Sequence, residues 1–218
     1  MNGGDREWAD TRAALGHVMW LLGGSRAGKS TVRKMLVEEF GFASYDGDAG
    51  VFKHMEFCTK EESPALWTGQ RLLEKNQFWE WLLAMNSKDM ADGWHDAGRE
   101  DFEYVVSDLL AMPADTKIVA DIFAPHIDGI VRVAKPQNLV VMLASDTFQR
   151  EMIIETGRVE GEQLENYIEG QRLFSKCVRS EAERLNLSVL ETGGRLNIDE
   201  MYAAVCRHFE LSKTSLRK

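Results

Sequence analysis

The run Gly23-Gly24-Ser25-Arg26-Ala27-Gly28-Lys29-Ser30 constrains this chain more than any other feature, because it spells Gly-x-x-x-x-Gly-Lys-Ser. Before it stands His17 to Leu22, apolar after its first residue, as a central parallel strand covered on both faces requires. After it, Val32, Met35, Leu36 and Phe40 recur at helical spacing from Lys29 until Gly41. A strand that turns through glycines directly into a helix is the setting in which this pattern cradles phosphate. Gly23 and Gly28 allow backbone angles and close approach that a Cβ forbids. The N–H groups of Gly24, Ser25, Arg26 and Ala27 then turn inward beside the positive end of the helix. Lys29 brings a mobile charge between the β- and γ-phosphates, the Ser30 hydroxyl is placed to coordinate Mg²⁺, and Thr31 caps the turn or touches the α-phosphate.

The rest of the chain alternates strands with helices. Strand character appears at Phe42 to Tyr45, Lys117 to Phe123, Asn138 to Ala144 and Leu187 to Leu190. Between the second and third strands the pattern is helical: Phe78, Trp81, Leu82 and Met85 share one face, and Phe102, Val106, Leu109 and Leu110 another. Thr147 to Glu155 reads as a helix, Gly157 to Gly161 as a polar break, and Leu164 to Leu185 as a long helix with one apolar stripe. Asn197 with Glu200 three residues on reads as a capping box opening a last helix. Such alternation predicts one α/β domain over residues 1–218, a five-stranded parallel sheet wrapped by helices, with a helical insert at about 50–113. No apolar run reaches bilayer-spanning length and Met1 to Gly16 lacks a secretory apolar stretch, so a cytoplasmic protein with no membrane partner is expected. A net charge of -9 argues against a nucleic-acid surface. Cys58, Cys177 and Cys206 have neither zinc nor disulfide spacing.

Asp46-Gly47-Asp48 closes the second strand, where strand C-termini face the ligand crevice of a parallel sheet. If strand alternation continues, both carboxylates share one side. One then holds a Mg²⁺-bound water while the other orients or deprotonates a substrate hydroxyl; an ordinary Asp-Gly turn is the alternative. The stretch from Gly23 to Thr31, the helix behind it and Tyr45-Asp46-Gly47-Asp48 together resemble gluconate, shikimate and adenylylsulfate kinases, which are nucleoside-monophosphate-kinase-like P-loop kinases. The close match spans about the first quarter of the chain. The resemblance implies a three-layer P-loop NTPase sandwich with sheet order 2-3-1-4-5, ATP and Mg²⁺ as ligands, a substrate-binding insert and a lid at about 150–162. It also implies that Asp46 acts around Mg²⁺ and that Asp48 contacts the acceptor. Arg99-Glu100-Asp101-Phe102 and Asp146 to Arg150 resemble, more loosely, bacterial P-loop kinases of unassigned substrate.

Further candidates follow from position. Asp121 ends the apolar run Ile118-Val119-Ala120, where it either holds Mg²⁺ or faces the substrate, or simply caps the next turn. Arg150 and Arg158 flank the polar break and are candidates to reach the transferring phosphoryl group, although Glu151, Glu155, Glu160 and Glu162 make that segment acidic. Arg172, Lys176 and Arg179 form either a nucleotide-facing stripe or a solvated one. Arg99 suits an anionic substrate group or an ion pair with Asp96 or Glu103. Trp81 reads as core, Trp67 and Trp94 as core or pocket lining, and His54 as a residue near enough to the aspartates to reach a pocket. The expected activity is transfer of the ATP γ-phosphoryl group to a hydroxyl or phosphate of a small metabolite, by a monomer or homodimer. A hydrolytic switch or an inactive nucleotide binder is the alternative, and no Asn-Lys-x-Asp motif supports a GTPase. The acceptor is not legible.

Overall fold

The computed structural model describes residues 3–193 and 196–212. Helix α1 (Gly3–Ala14) leads into β1 (Val18–Gly23), and the glycine-rich turn opens α2 (Lys29–Phe40). Gly41, in the left-handed region at φ 68°, ends α2 by donating its N–H to Val37, and β2 (Ala43–Asp46) follows. The side chain of Asp46 accepts from the Ala49 N–H and so starts α3 (Gly47–Met55) without any loop. Then come α4 (Pro64–Glu74), α5 (Phe78–Ala84) and the 25-residue α6 (Ser87–Ala111), which Asn86 caps. The sheet resumes with β3 (Ile118–Phe123), followed by α7 (Ile127–Val133), β4 (Leu139–Ala144), α8 (Asp146–Glu155), α9 (Gln163–Arg184), β5 (Ser188–Thr192) and α10 (Ile198–His208). The expected capping box of Asn197 and Glu200 is present in full.

All strand pairs are parallel and the order is β2-β3-β1-β4-β5, the P-loop NTPase sheet expected from the sequence. Strand alternation sorts the core into two layers. Val18, Trp20 and Leu22 join an apolar cluster with α6, α7 and α9, including Val105, Leu109, Ile130 and Phe174. Met19 and Leu21 face the other way, onto Val32 and Leu36 of α2 and Met201 and Val205 of α10. A third, smaller cluster ties the helices between β2 and β3 to the α8–α9 segment through Leu82, Met90, Ile153, Val159 and Tyr167. No described helix is long and apolar enough to cross a membrane.

Two elements differ from the sequence expectation. Residues 3–14 form a helix although their pattern shows little amphipathicity; Trp8 packs on the core, and Arg12 donates to the carbonyls of Val131 and Arg132 at the end of α7. Helix also begins at Gly47 rather than near residue 50, because Asp46 is itself the cap.

The long helix α6 meets the sheet at one point of very close approach. A Cβ built on Gly98 would overlap the carbonyl oxygen of Ala124, just beyond β3. Ala124 itself sits in the left-handed region at φ 49°. Gly98→Ala is therefore expected to push α6 from the sheet end and cost about 1–3 kcal/mol, read as a lower urea midpoint.

Candidate active site

Backbone angles set the shape of the phosphate loop. Gly23 is at φ 135° with no room for a Cβ against the Met142 backbone, and Gly28 caps α2 at φ 82° without offering a side chain. The first N–H groups of α2 are thus left facing the loop's hollow. Side chains from other elements brace its outside. Gln149 of α8 donates to the Ser25 carbonyl at 3.2 Å, and the Thr192 hydroxyl donates to the Ala27 carbonyl at 2.9 Å. Arg26 reaches Thr156 at 3.5 Å.

Lys29 is buried and donates to the Gly24 carbonyl at 2.8 Å, with Asp121 at 3.9 Å. Burial pushes its pKa down, against the opposing pull of Asp121 and Asp48. The Ser30 hydroxyl donates to Asp121 at 2.6 Å. A hydroxyl from the first turn of α2 beside a carboxylate of β3 supplies the hard oxygen donors that Mg²⁺ takes when substrate phosphates and water fill its other positions. Among the described residues no cluster of three or more His, Cys, Asp and Glu could hold a metal ion.

Asp46 and Asp48 part company. Asp46 accepts from Arg33 at 2.5 Å on one oxygen and caps α3 with the other, and it does not line the cleft. The reason is local: α3 starts at Gly47, so the two-residue alternation of a strand stops at Asp46. Expected at a metal, Asp46 is instead linked through Arg33 to Asp121, which lies 3.6 Å from the Arg33 Nε. Arg33 was not recognisable in advance; it is a buried arginine on α2 that also donates to Ser44. Asp48 does line the cleft. Burial raises its pKa, Asp121 and Asp46 add to this, and Lys29 and Arg33 oppose it. A carboxylate shifted upward, within the electrostatic reach of Lys29, is suited to accept a proton.

The cleft is large, about 1700 Å³. The phosphate loop lines it together with Phe148, Gly193, Leu196 and Ile198, and α3 to α6 contribute a chamber wall that includes Phe78, Trp79, Trp81 and Trp94. Trp94 therefore lines the chamber, as does Trp81, whereas Trp67 sits between Lys60 and Arg71 outside it. The 156–162 segment is folded down on the chamber: Val159 is buried, and the Arg158 guanidinium stacks 5.3 Å from the Trp79 ring centroid. Arg158 lines the cleft; Arg150 does not, being paired with Glu165 at 2.5 Å on the surface. Arg99 likewise stays outside, 3.5 Å from Asp96, because position 99 is turned away from the face that Gly98 and Asp101 present. Arg172 pairs with Glu169 and Arg179 with Glu191, and neither lines the cleft.

His54 is buried between two carboxylates, with Nδ1 2.6 Å from Asp101 and Nε2 3.2 Å from Asp108, and it stacks on Tyr104. Burial alone would lower its pKa, but the hydrogen bonds and charges of Asp101 and Asp108 prevail and raise it.

No protein-family model matches the chain, and no curated protein sequence does either. Among solved structures, a YorR protein from Bacillus subtilis in complex with phosphorylated GDP is similar over 89% of this chain and 96% of its own. The TM-score is 0.45 at 16% identity. A NadR protein in complex with NR matches 96% of this chain and 57% of that one, with a TM-score of 0.46 at 13% identity. NadR in complex with NAD and AMP-PNP matches 96% of this chain and 55% of that one, with a TM-score of 0.46 at 12% identity. The chain thus spans little more than half the length of the NadR chains.

A histidine with a raised folded pKa contributes stability that is full below its unfolded value and is lost as pH climbs through the folded one. The stability gap between the native protein and His54→Gln is therefore expected to be widest below pH 6.5 and to narrow on the alkaline side, as urea melts of both proteins would show.

Proposed function

We propose that the protein is a phosphotransferase that moves the γ-phosphoryl group of ATP to a small-molecule acceptor. One observation carries this reading: the phosphate loop and a ring-lined chamber belong to one cleft, which Asp48 also lines within electrostatic reach of Lys29. A switch that only hydrolyses nucleotide has no use for a chamber of this size beyond the γ-phosphate, whereas an acceptor needs one. The α8 and α10 side of the cleft suits the nucleoside part of the donor.

The residues divide the work by charge. Backbone N–H groups of residues 24–31 and the Lys29 ammonium hold the phosphate oxygens and neutralise the charge that spreads over them during transfer. Ser30 and Asp121 would hold Mg²⁺, which supplies charge neutralisation at the phosphates when bound. The acceptor hydroxyl oxygen forms the new bond to phosphorus as the bond between phosphorus and the β–γ bridging oxygen breaks. Asp48 accepts the hydroxyl proton, and ADP leaves. Arg158, which lines the cleft from the segment over the chamber, would approach the transferring group when that segment, residues 156–162, closes as the lid. The helices between β2 and β3 form the acceptor-binding insert of a single kinase domain.

Asp48→Asn is expected to lower phosphoryl transfer by roughly 10²–10⁴-fold while ATP affinity, measured by calorimetry, is retained. Retained transfer in this variant would remove Asp48 from the reaction.

A further inference from the structure

Charge is distributed unevenly around the cleft. Its lining cations are Arg26, Lys29 and Arg158, and all three belong to the phosphate loop or to the segment above it. Among the described residues, the part of the lining contributed by α3 to α6 holds no lysine or arginine at all, and its charged members are Asp48, Asp96 and Asp101. Asp96 is partly satisfied by Arg99 from outside the lining. Apart from Arg158 at Trp79, an acceptor bearing a phosphate or carboxylate against α3 to α6 would meet carboxylates rather than guanidinium groups.

Asp101 is the buried member of the set, 7% exposed, at one end of the lining face of α6. One of its oxygens is engaged by His54 at 2.6 Å, and no hydrogen bond from a described residue reaches the other. His54 is in turn fixed by Asp108, to which Lys53 also donates at 3.2 Å. The cluster therefore orients Asp101 as an acceptor-only group with one oxygen left for a ligand. That second oxygen is not among the buried atoms without a partner, so it keeps its contact with the cleft and is open to a donor there. Trp79, Trp81 and Trp94 line the same cleft.

Resting on the phosphotransferase reading, we infer that the acceptor is a neutral or cationic molecule with a flat ring. It is phosphorylated on a hydroxyl at the Asp48 end, and Asp101 takes a hydroxyl or ammonium donor at its far end. Ring faces stack on the tryptophans, and a positive charge gains from their faces as well. Asp101 is thus a substrate-binding residue that gives the chamber its preference against phosphorylated acceptors such as nucleoside monophosphates.

The test uses the full chain with Mg²⁺ and γ-labelled ATP. A small-molecule cell extract is split on an anion exchanger at neutral pH into a flow-through pool, neutral and cationic, and a retained anionic pool. Label is expected to move to the flow-through pool only. Transfer to the retained pool, alone or alongside the other, overturns the inferred acceptor while leaving the phosphotransferase reading standing. Transfer to neither pool by protein that binds ATP overturns that reading and the inference with it. Asp101→Asn is expected to raise the half-saturating concentration of the flow-through pool by roughly 10- to 100-fold and leave the KM for ATP in place. An unchanged value removes Asp101 from acceptor binding. Should this variant not fold, Gly93→Lys makes the same test, since a side chain at Gly93 meets nothing within 4 Å and enters the chamber. At least about a tenfold fall in transfer to the flow-through pool is expected, and undiminished transfer places the acceptor elsewhere.

Discussion

Asp121 is a buried carboxylate at the end of a central strand, and the structure around the phosphate loop is arranged to satisfy it. Lys29 and Arg33, one turn apart on α2, and the Ser30 hydroxyl all converge on it. Left alone such a charge would be strongly destabilising, so its partners are held in place by the same free energy that holds the fold together. The outcome is mechanical. The first turn of α2 is pinned to β3, and the loop between β1 and α2 has its shape fixed at both ends. Arg33 passes the constraint on to Asp46 and Ser44 at the edge strand β2. The charges that would meet a nucleotide are thus the charges that knit three neighbouring elements at the sheet's C-terminal edge.

This arrangement also explains why Lys29 is poised. Its ammonium rests on the Gly24 carbonyl and shares Asp121 with Arg33 and Ser30, so it is neither free in solvent nor locked in a tight pair. Preorganised donors of this kind need little rearrangement when charge develops on a bound phosphate. Bracing from Gln149 and Thr192 serves the same end from outside the loop, since each fixes a loop carbonyl that would otherwise be free to turn inward.

Much of this was legible in the sequence, for identifiable reasons. The motif from Gly23 to Ser30 has strict backbone demands, and apolar strands buried on both faces leave an unbroken signal, so the sheet and its loop could be read directly. Capping at Asn197 was legible because both halves of the box are local. Asp46 was misread because a strand rule was carried two residues past the strand; the cap that ends the alternation is the same aspartate. Long-range partners left no such trace. Nothing near Arg33 announces that it will meet Asp121, and nothing near Asp101 announces His54, 47 residues earlier in the chain. Arg150 and Arg158 were equal candidates around the Gly157 to Gly161 break, yet a glutamate across the segment, Glu165, takes one, and Trp79 receives the other.

The close approach of Gly98 to Ala124 bears on how such a chamber can change. Ala124 lies three residues beyond Asp121 on the same chain, so α6 is anchored to the strand that carries the buried carboxylate. That wall is a fixed jaw. The opposite wall, α5, is only seven residues long and leaves Trp79 partly exposed. Divergence in what the chamber admits is therefore channelled into side chains on the short helices, where volume can be traded without moving the backbone that supports the phosphate loop. Descendants of this architecture can explore new ligands on one side while the other keeps its geometry.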